Sequence, residues 1–249
     1  MSINNTIILC AGKIDYTRLP IGSHQSNATI PINGKPVISW ILDDLIRKEI
    51  EKVTVVIRAE NKKLREVLEN HYHKRMQVTI AEVENPQSII DSLIAGLQFA
   101  DIAKGTRLIL GDTLIYDGYN RYENFVYTSQ VADSENWCIA ETSINDTIVA
   151  LTDKKTLKGD SFTALCGYYS FTDTAELKNC VEQAKKLGSR ELSSVLLNYN
   201  TTYPLKAVSA KDWFDFGHME TFIASKKSLL RPRHFNQLVI HPCTILLPR

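Results

Sequence analysis

The 249-residue chain has little of what marks several common protein classes. Its five cysteines (Cys10, Cys138, Cys166, Cys180 and Cys243) are widely spaced, odd in number and never in a C-x-x-C pair. That pattern argues against a disulfide framework and against a structural zinc site, so the thiols read as reduced core side chains. No apolar run approaches the roughly 18 residues that a membrane span needs. The opening MSINNTIILCAG has no charged leader before a long apolar stretch, so the sequence is read as cytoplasmic, without signal peptide or membrane partner. Charge of one sign is not in excess: 29 basic and 28 acidic residues leave a net charge of +1, with no basic block. Nucleic acid is therefore not an expected partner. No G-x-G-x-x-G follows the first strand, which counts against a dinucleotide oxidoreductase. Repeats, low-complexity tracts and a Pro/Gly/Ser-rich linker are also absent, and residues 1 to about 230 are read as one domain.

What is there is an alternation. Hydrophobic residues make up 44% of the chain, enough for a sizeable core. Thr6 to Gly12 reads as a buried strand, and Lys35 to Ile50 as an amphipathic helix with Val37, Ile38, Ile41, Leu42, Leu45 and Ile46 on one face. Val53 to Ile57 is a continuous β-branched run, as expected of a strand covered on both sides. Asn61 to His73 reads as a charged surface helix and Met76 to Val83 as a strand. Asn85-Pro86 is the expected cap and first turn of a helix over Gln87 to Asp101. Thr106 to Leu110, ending in Gly111-Asp112, is the next strand. These repeats predict an α/β fold, a Rossmann-like, doubly wound and mostly parallel sheet.

The second half reads as mixed. Trp137 to Leu151 and Phe162 to Phe171 are expected strands, separated by a polar loop over Asp153 to Asp160. Thr174 to Leu187 and Glu191 to Tyr199 are expected helices, Tyr203 to Ser209 a strand, and Trp213 to Gly217 a sharp turn before a helix from His218 to Leu230. His71 and His73 stand two apart on a helix and do not share a face, so they are not read as a metal pair.

The chemistry concentrates at the first strand. Ile7-Ile8-Leu9 runs through Cys10 into Ala11-Gly12 and then into a long polar loop carrying Lys13, Arg18, Ser23 and Ser26. A buried strand opening into small residues presents backbone N–H groups to a ligand at the sheet's carboxyl edge. Asp112 ends a strand and Asp215 sits in an aromatic turn; each is either a cap or a carboxylate free to hold a hard cation. Arg18 and Lys13 suit phosphate or are solvated loop cations. Gln87 suits a base edge, and Ser88 beside it is read either at a nucleotide or as a helix cap. Gly167 lies in a strand where a ligand ring could approach, and Glu191 is either a hydroxyl acceptor or a first-turn acid. Lys154, Lys155 and Lys158 are candidates for an acceptor phosphate.

These segments together resemble the sugar-1-phosphate nucleotidyltransferase family, the nucleoside-diphosphate-sugar pyrophosphorylases with their cytidylyltransferase relatives. IILCAG, Arg18-Leu19, PINGKPVISWILDDLI, SIIDSL, LGD, CGYYSF and WFDFGHMETF come in that family's order and span nearly all of residues 6 to 226. The resemblance implies transfer of a nucleotidyl group from an NTP to a sugar-1-phosphate or related phosphorylated alcohol, releasing pyrophosphate, for surface polysaccharide precursors. It implies Mg²⁺ held by Asp112 and Asp215, and Arg18 and Lys13 as catalytic cations. Nucleotide contacts would fall at Cys10, Ala11, Gly12, Gln87, Ser88 and Gly111, and substrate contacts at Gly167, Glu191 and Lys155; a homo-oligomer would be compatible. Two departures qualify it. The loop AGKIDYTRL is longer than the family's G-x-G-x-R and lacks its second glycine, and the family's Pro-Lys pair before the PINGKP proline is Ser26-Asn27 here. A degenerate nucleotide-binding or regulatory domain on the same fold is the alternative. Residues 231–249 read as a tail resembling a fusion junction.

Overall fold

The structure is a computed structural model that describes residues 3–12, 26–117 and 123–229. In chain order its strands and helices are β1 (Ile3–Leu9), β2 (Pro31–Ile32), β3 (Lys35–Pro36), α1 (Val37–Arg47), β4 (Lys52–Arg58), α2 (Lys62–Val67), β5 (Gln77–Val83), α3 (Ile89–Leu97), β6 (Gly105–Leu110) and β7 (Thr113–Ile115). There follow β8 (Phe125–Val131), β9 (Cys138–Thr142), β10 (Ile148–Asp153), β11 (Phe162–Phe171), α4 (Thr174–Lys186), α5 (Leu192–Thr202), β12 (Lys206–Ser209), β13 (Trp213–Asp215) and α6 (Met219–Leu229).

The parallel half is the one expected. β6, β1, β4 and β5 lie side by side and parallel, with Ile7, Ile8 and Leu9 in register with Thr54, Val55 and Val56 on one side and Leu108, Ile109 and Leu110 on the other. Strand alternation sends Ile8 to one face, where Val37, Ile38, Ile41, Leu42 and Leu45 of α1 cover it. Ile7 and Leu9 go to the other face, under Ile90, Leu93 and Leu97 of α3 and the apolar sides of α4 and α5. Helices on both faces make the sheet doubly wound.

Beyond β6 the sheet turns mixed, as expected, but by a route the sequence hid. β11 runs antiparallel to β6 and also pairs with β8 and β9; β12 adds to β8 in parallel. β8 was not anticipated, although FVYTSQV is rich in strand formers. The single strand expected over Trp137 to Leu151 is two antiparallel strands, β9 and β10, turning at Ser143–Asp146 with Asp146 at φ 58°.

Three local expectations need correction. PINGKP does not simply lead into a helix: Asn33 (φ 48°) and Gly34 (φ 90°) form the tight turn of a small hairpin joining β2 to β3. Asn85-Pro86 does not cap α3. Asn85 sits at φ 45°, and the cap is Ser88, whose hydroxyl accepts from Asp91 N at 3.4 Å while Asp91 Oδ2 accepts from Ser88 N at 3.1 Å. This reciprocal capping box starts the helix at Ile89 and shortens it to nine residues. Trp213–Asp215 is not a turn but β13, which pairs antiparallel with β7. No helix among the described residues is long and apolar enough to cross a membrane.

Candidate functional site

The site forms where β7 and β13 meet the carboxyl edge of the parallel strands. The small ladder sets Asp215 opposite Thr113 and Phe214 opposite Leu114, and Phe216 N donates to Asp112 O at 2.9 Å. Two aspartates far apart in sequence are thereby fixed around one point. A Cβ added to Gly217 would stand 3.2 Å from Asp112 Oδ2 and 3.4 Å from Asp215 Oδ1. A glycine leaves that gap open.

The electrostatics follow from the geometry. The Asp112 carboxyl is raised above its ordinary value, first by removal from water and then by the facing charge of Asp215. Asn27 opposes this, donating from Nδ2 to Asp112 Oδ2 at 3.1 Å. Asp215 Oδ2 accepts from Gly217 N at 3.2 Å and from the Thr221 hydroxyl, and lies 3.1 Å from His218 Nδ1. The His218 ring packs over Trp137 with centroids 4.7 Å apart, which orients the imidazole. Asn27 Oδ1, beside this pair, is a buried acceptor without a hydrogen-bond partner among the described residues.

Such a donor set, two like-charged carboxylates and an unpartnered amide oxygen, is all hard oxygen and suits a small divalent cation. Among the described residues there is no cluster of three or more His, Cys, Asp or Glu side chains that could enclose a metal by itself. Mg²⁺ asks for no such cage: it takes one or two carboxylates and completes its shell from phosphate and water.

A cavity of about 420 Å³ runs from Asp112 past Ala11 and Gly12 to Arg58, and then along Asn85–Ile89 to Ser92 and Arg190. It crosses the ends of β6, β1 and β4 in turn, and its far wall is the loop between β5 and α3. Ala11, Gly12, Gln87 and Ser88 line it; Cys10 lies beneath, its thiol pushed up by burial and then by the Asp112 charge, hence protonated. Gly111 sits where a Cβ would fall 2.5 Å from Cys10 Sγ and 2.9 Å from Leu9 O, so the turn after β6 can close on β1 only without a side chain.

The remaining candidates have other surroundings or a second role. Gly167 takes φ +79° in β11, and a Cβ there would meet Thr113 Oγ1 at 2.7 Å. Packing therefore requires a glycine independently of any ligand. Glu191 is the exposed residue just before α5 and makes no side-chain cap, and Lys155 is exposed in the loop after β10. Ser88 both lines the cavity and caps α3. Arg18 and Lys13 lie outside the described residues. Sequence reasoning missed Arg58 and Arg190 on the cavity wall and His218 and Thr221 at Asp215. His218 and Thr221 stood within a recognised segment, but nothing in their spacing marked them as partners of that aspartate.

Comparison with known proteins gives a consistent picture. The profile of the nucleotidyl transferase family matches residues 5–231. The bifunctional protein GlmU of Methanococcus maripaludis is 28% identical over 225 residues, covering 86% of this chain and 51% of that protein. The chain thus spans about half the length of the curated relatives it matches. Among solved structures, a provisionally assigned glucose-1-phosphate thymidylyltransferase from Bacillus anthracis, crystallised with sucrose, has TM-score 0.75 at 19% identity, covering 90% of this chain and 94% of that one. A UDP-glucose pyrophosphorylase complexed with UDP-glucose has TM-score 0.74 at 14% identity, covering 91% and 98%. At such identities the structures speak to fold, and they share this one.

Proposed function

The chain belongs to the nucleotidyl transferase family, and from that premise we propose that it couples an NTP to a sugar-1-phosphate or related phosphorylated alcohol and releases pyrophosphate. An acceptor phosphate oxygen attacks the α-phosphorus; the new O–P bond forms as the bond to the bridging oxygen breaks, and pyrophosphate carries that electron pair away. Both reactants are anionic, so the protein's work is positioning and charge neutralisation. The observation that carries the reading is the meeting of Asp112 and Asp215 around Gly217, with Asp112 at one end of a cavity of about 420 Å³.

In this reading Asp112 and Asp215 hold Mg²⁺, with Asn27 Oδ1 as the nearby neutral oxygen. The cation would supply charge neutralisation at the reacting phosphates. Backbone at Ala11 and Gly12 lies against the phosphates, and Asn27 and Thr221 fix the two carboxylates in place. Gln87 and Ser88 border the base, Gly111 lets the turn after β6 close on β1, and Cys10 packs beneath. Arg18 and Lys13 are assigned to the triphosphate, and Gly167, Glu191 and Lys155 to the acceptor side. Production of surface polysaccharide precursors is the role that fits this reaction.

One observation favours a second reading, nucleotide binding without turnover. Asn27, at the position where the family resemblance leads one to expect lysine, spends its amide on Asp112 and brings no positive charge to the site. A pyrophosphate-release screen separates the two. ATP, CTP, GTP, UTP and dTTP are each offered with sugar-1-phosphates and phosphorylated amino- or polyalcohols, with and without Mg²⁺. Transfer predicts Mg²⁺-dependent release with one class of NTP, abolished in Asp112→Ala and Asp215→Ala. Nucleotide binding with no release across the panel supports the second reading instead.

A further inference from the structure

The cavity is lined, at the end of β4, by an arginine that the transfer reaction leaves without a task. Arg58 is the last residue of β4, in register with Val83 of β5 and only 9% exposed. Among the described residues its buried Nε has no hydrogen-bond partner, and its Nη1 reaches the exposed Glu60 at 3.4 Å. A buried guanidinium so poorly matched is costly unless a ligand supplies acceptors.

The surrounding wall says what kind of acceptor. The backbone N–H groups of Gln87 and Ser88 both go to Asp91 Oδ2, at 2.8 and 3.1 Å. Gln87 Nε2 donates to Asn85 O at 2.8 Å, and Gln87 O accepts from Arg190 Nη2 at 2.6 Å. Ser88 Oγ already accepts from Asp91 N. Capping α3 thus consumes the backbone donors of Gln87 and Ser88 and much of the neutral polar capacity of the loop, whereas the cavity is also lined by the charged donors Arg58 and Arg190. Asp112 lines one end of the cavity, and with the phosphates held there in the transfer reading the base of a bound nucleotide falls toward Arg58 and the Gln87 loop.

We infer that Arg58 selects the nucleobase, and that it takes a base presenting two adjacent acceptors on one edge. This rests on the nucleotidyl-transfer reading of the same cavity. Guanine (O6 and N7) and cytosine (O2 and N3) offer such a pair to the planar donor fork of arginine. Uracil and thymine interrupt theirs with N3–H, and adenine sets an amino donor beside each ring acceptor on its pairing edges.

Calorimetric titration of the full chain with GTP, CTP, UTP, dTTP and ATP, with Mg²⁺ and no acceptor, tests this without turnover. Wild type is expected to bind GTP or CTP at least about fivefold tighter than the other three, the lower end of what a bidentate base contact discriminates. Arg58→Gln should erase that preference while leaving the disfavoured nucleotides within about twofold. Arg58→Lys should erase it too, because an ammonium keeps the charge but not the fork; it also guards against a folding defect from loss of the buried charge. Equal weakening for all five nucleotides would mean a phosphate contact and overturn the inference, as would a preference for UTP, dTTP or ATP, or selectivity that survives both variants. Selective binding without pyrophosphate release with any acceptor would sustain this inference while defeating the transfer reading. Failure to bind any nucleotide would defeat both.

Discussion

The two aspartates at Gly217 oppose the fold that holds them. With the Asp112 carboxyl raised by removal from water and by the charge of Asp215, the folded state favours its protonated form. The cost of ionising it is absent below the unfolded value and grows as pH rises through the folded one. A divalent cation between the carboxylates would cancel that cost. Asp112→Asn is therefore expected to raise the melting temperature at neutral pH without added cation, and to abolish the further rise that Mg²⁺ or Mn²⁺ gives the wild type. Thermal scans across a cation titration check both; a variant that melts lower and still responds to cation contradicts the account. At this scale the sequence revealed residue types but not partners. Asp112 and Asp215 stood out through their motifs, whereas the Asn27 amide on Asp112 and the Thr221 hydroxyl on Asp215 depend on a ladder between β7 and β13 that no local pattern announces.

Elements were legible where burial wrote a continuous pattern. β1, β4 and β6 are covered on both faces, so their apolar runs could hardly be anything else. β7 and β13 are three residues each, too short for any periodicity, and β8 carries Thr128, Ser129 and Gln130, which blur its apolar start. How closely elements pack is equally invisible in sequence. Gly96 of α3 rests on β1 so tightly that a Cβ would stand 2.6 Å from Ile7 Cγ2 and 3.0 Å from Val56 Cγ2. Gly96→Ala would ordinarily favour a helix; here it should cost about 1–3 kcal/mol through overpacking, read as a lower urea midpoint at unchanged slope. A second contact between elements is electrostatic. Asp43 of α1 binds Lys35 of β3 at 2.5 Å and Arg75, just before β5, at 2.7 Å. Burial pulls its carboxyl upward, but these two cations outweigh it and hold it below the ordinary 3.8. A depressed carboxylate gives stability that is full above its unfolded value and is lost as pH falls through the folded one. Melting temperatures measured below pH 4 should therefore drop steeply in wild type and less steeply in Asp43→Asn.

Across the described residues, β11 is the seam between the parallel half and the antiparallel half, since it pairs with β6 and also with β8 and β9. Its register with β8 slips between Leu165 and Tyr169, and Gly167 sits in that slip at φ +79°. The added Cβ of an alanine would press on Thr113 Oγ1 at 2.7 Å and on Leu110 Cδ1 at 3.1 Å. Thr113 follows Asp112 directly and faces Asp215 across the β7–β13 ladder, so strain at the seam reaches the aspartates without touching either. Gly167→Ala is expected to destabilise the chain by about 1–3 kcal/mol, from backbone strain and overpacking together, and also to weaken Mn²⁺ binding. Leu93→Ala supplies the control: this fully buried α3 residue should cost about 2–5 kcal/mol while leaving cation affinity unchanged. Mn²⁺ titration followed by electron paramagnetic resonance, beside urea unfolding of both variants, separates local transmission from general loosening. Equal loss of affinity in the two would mean that the aspartates respond to overall stability, whereas loss confined to Gly167→Ala would tie the cation site to the seam between the two halves of the sheet.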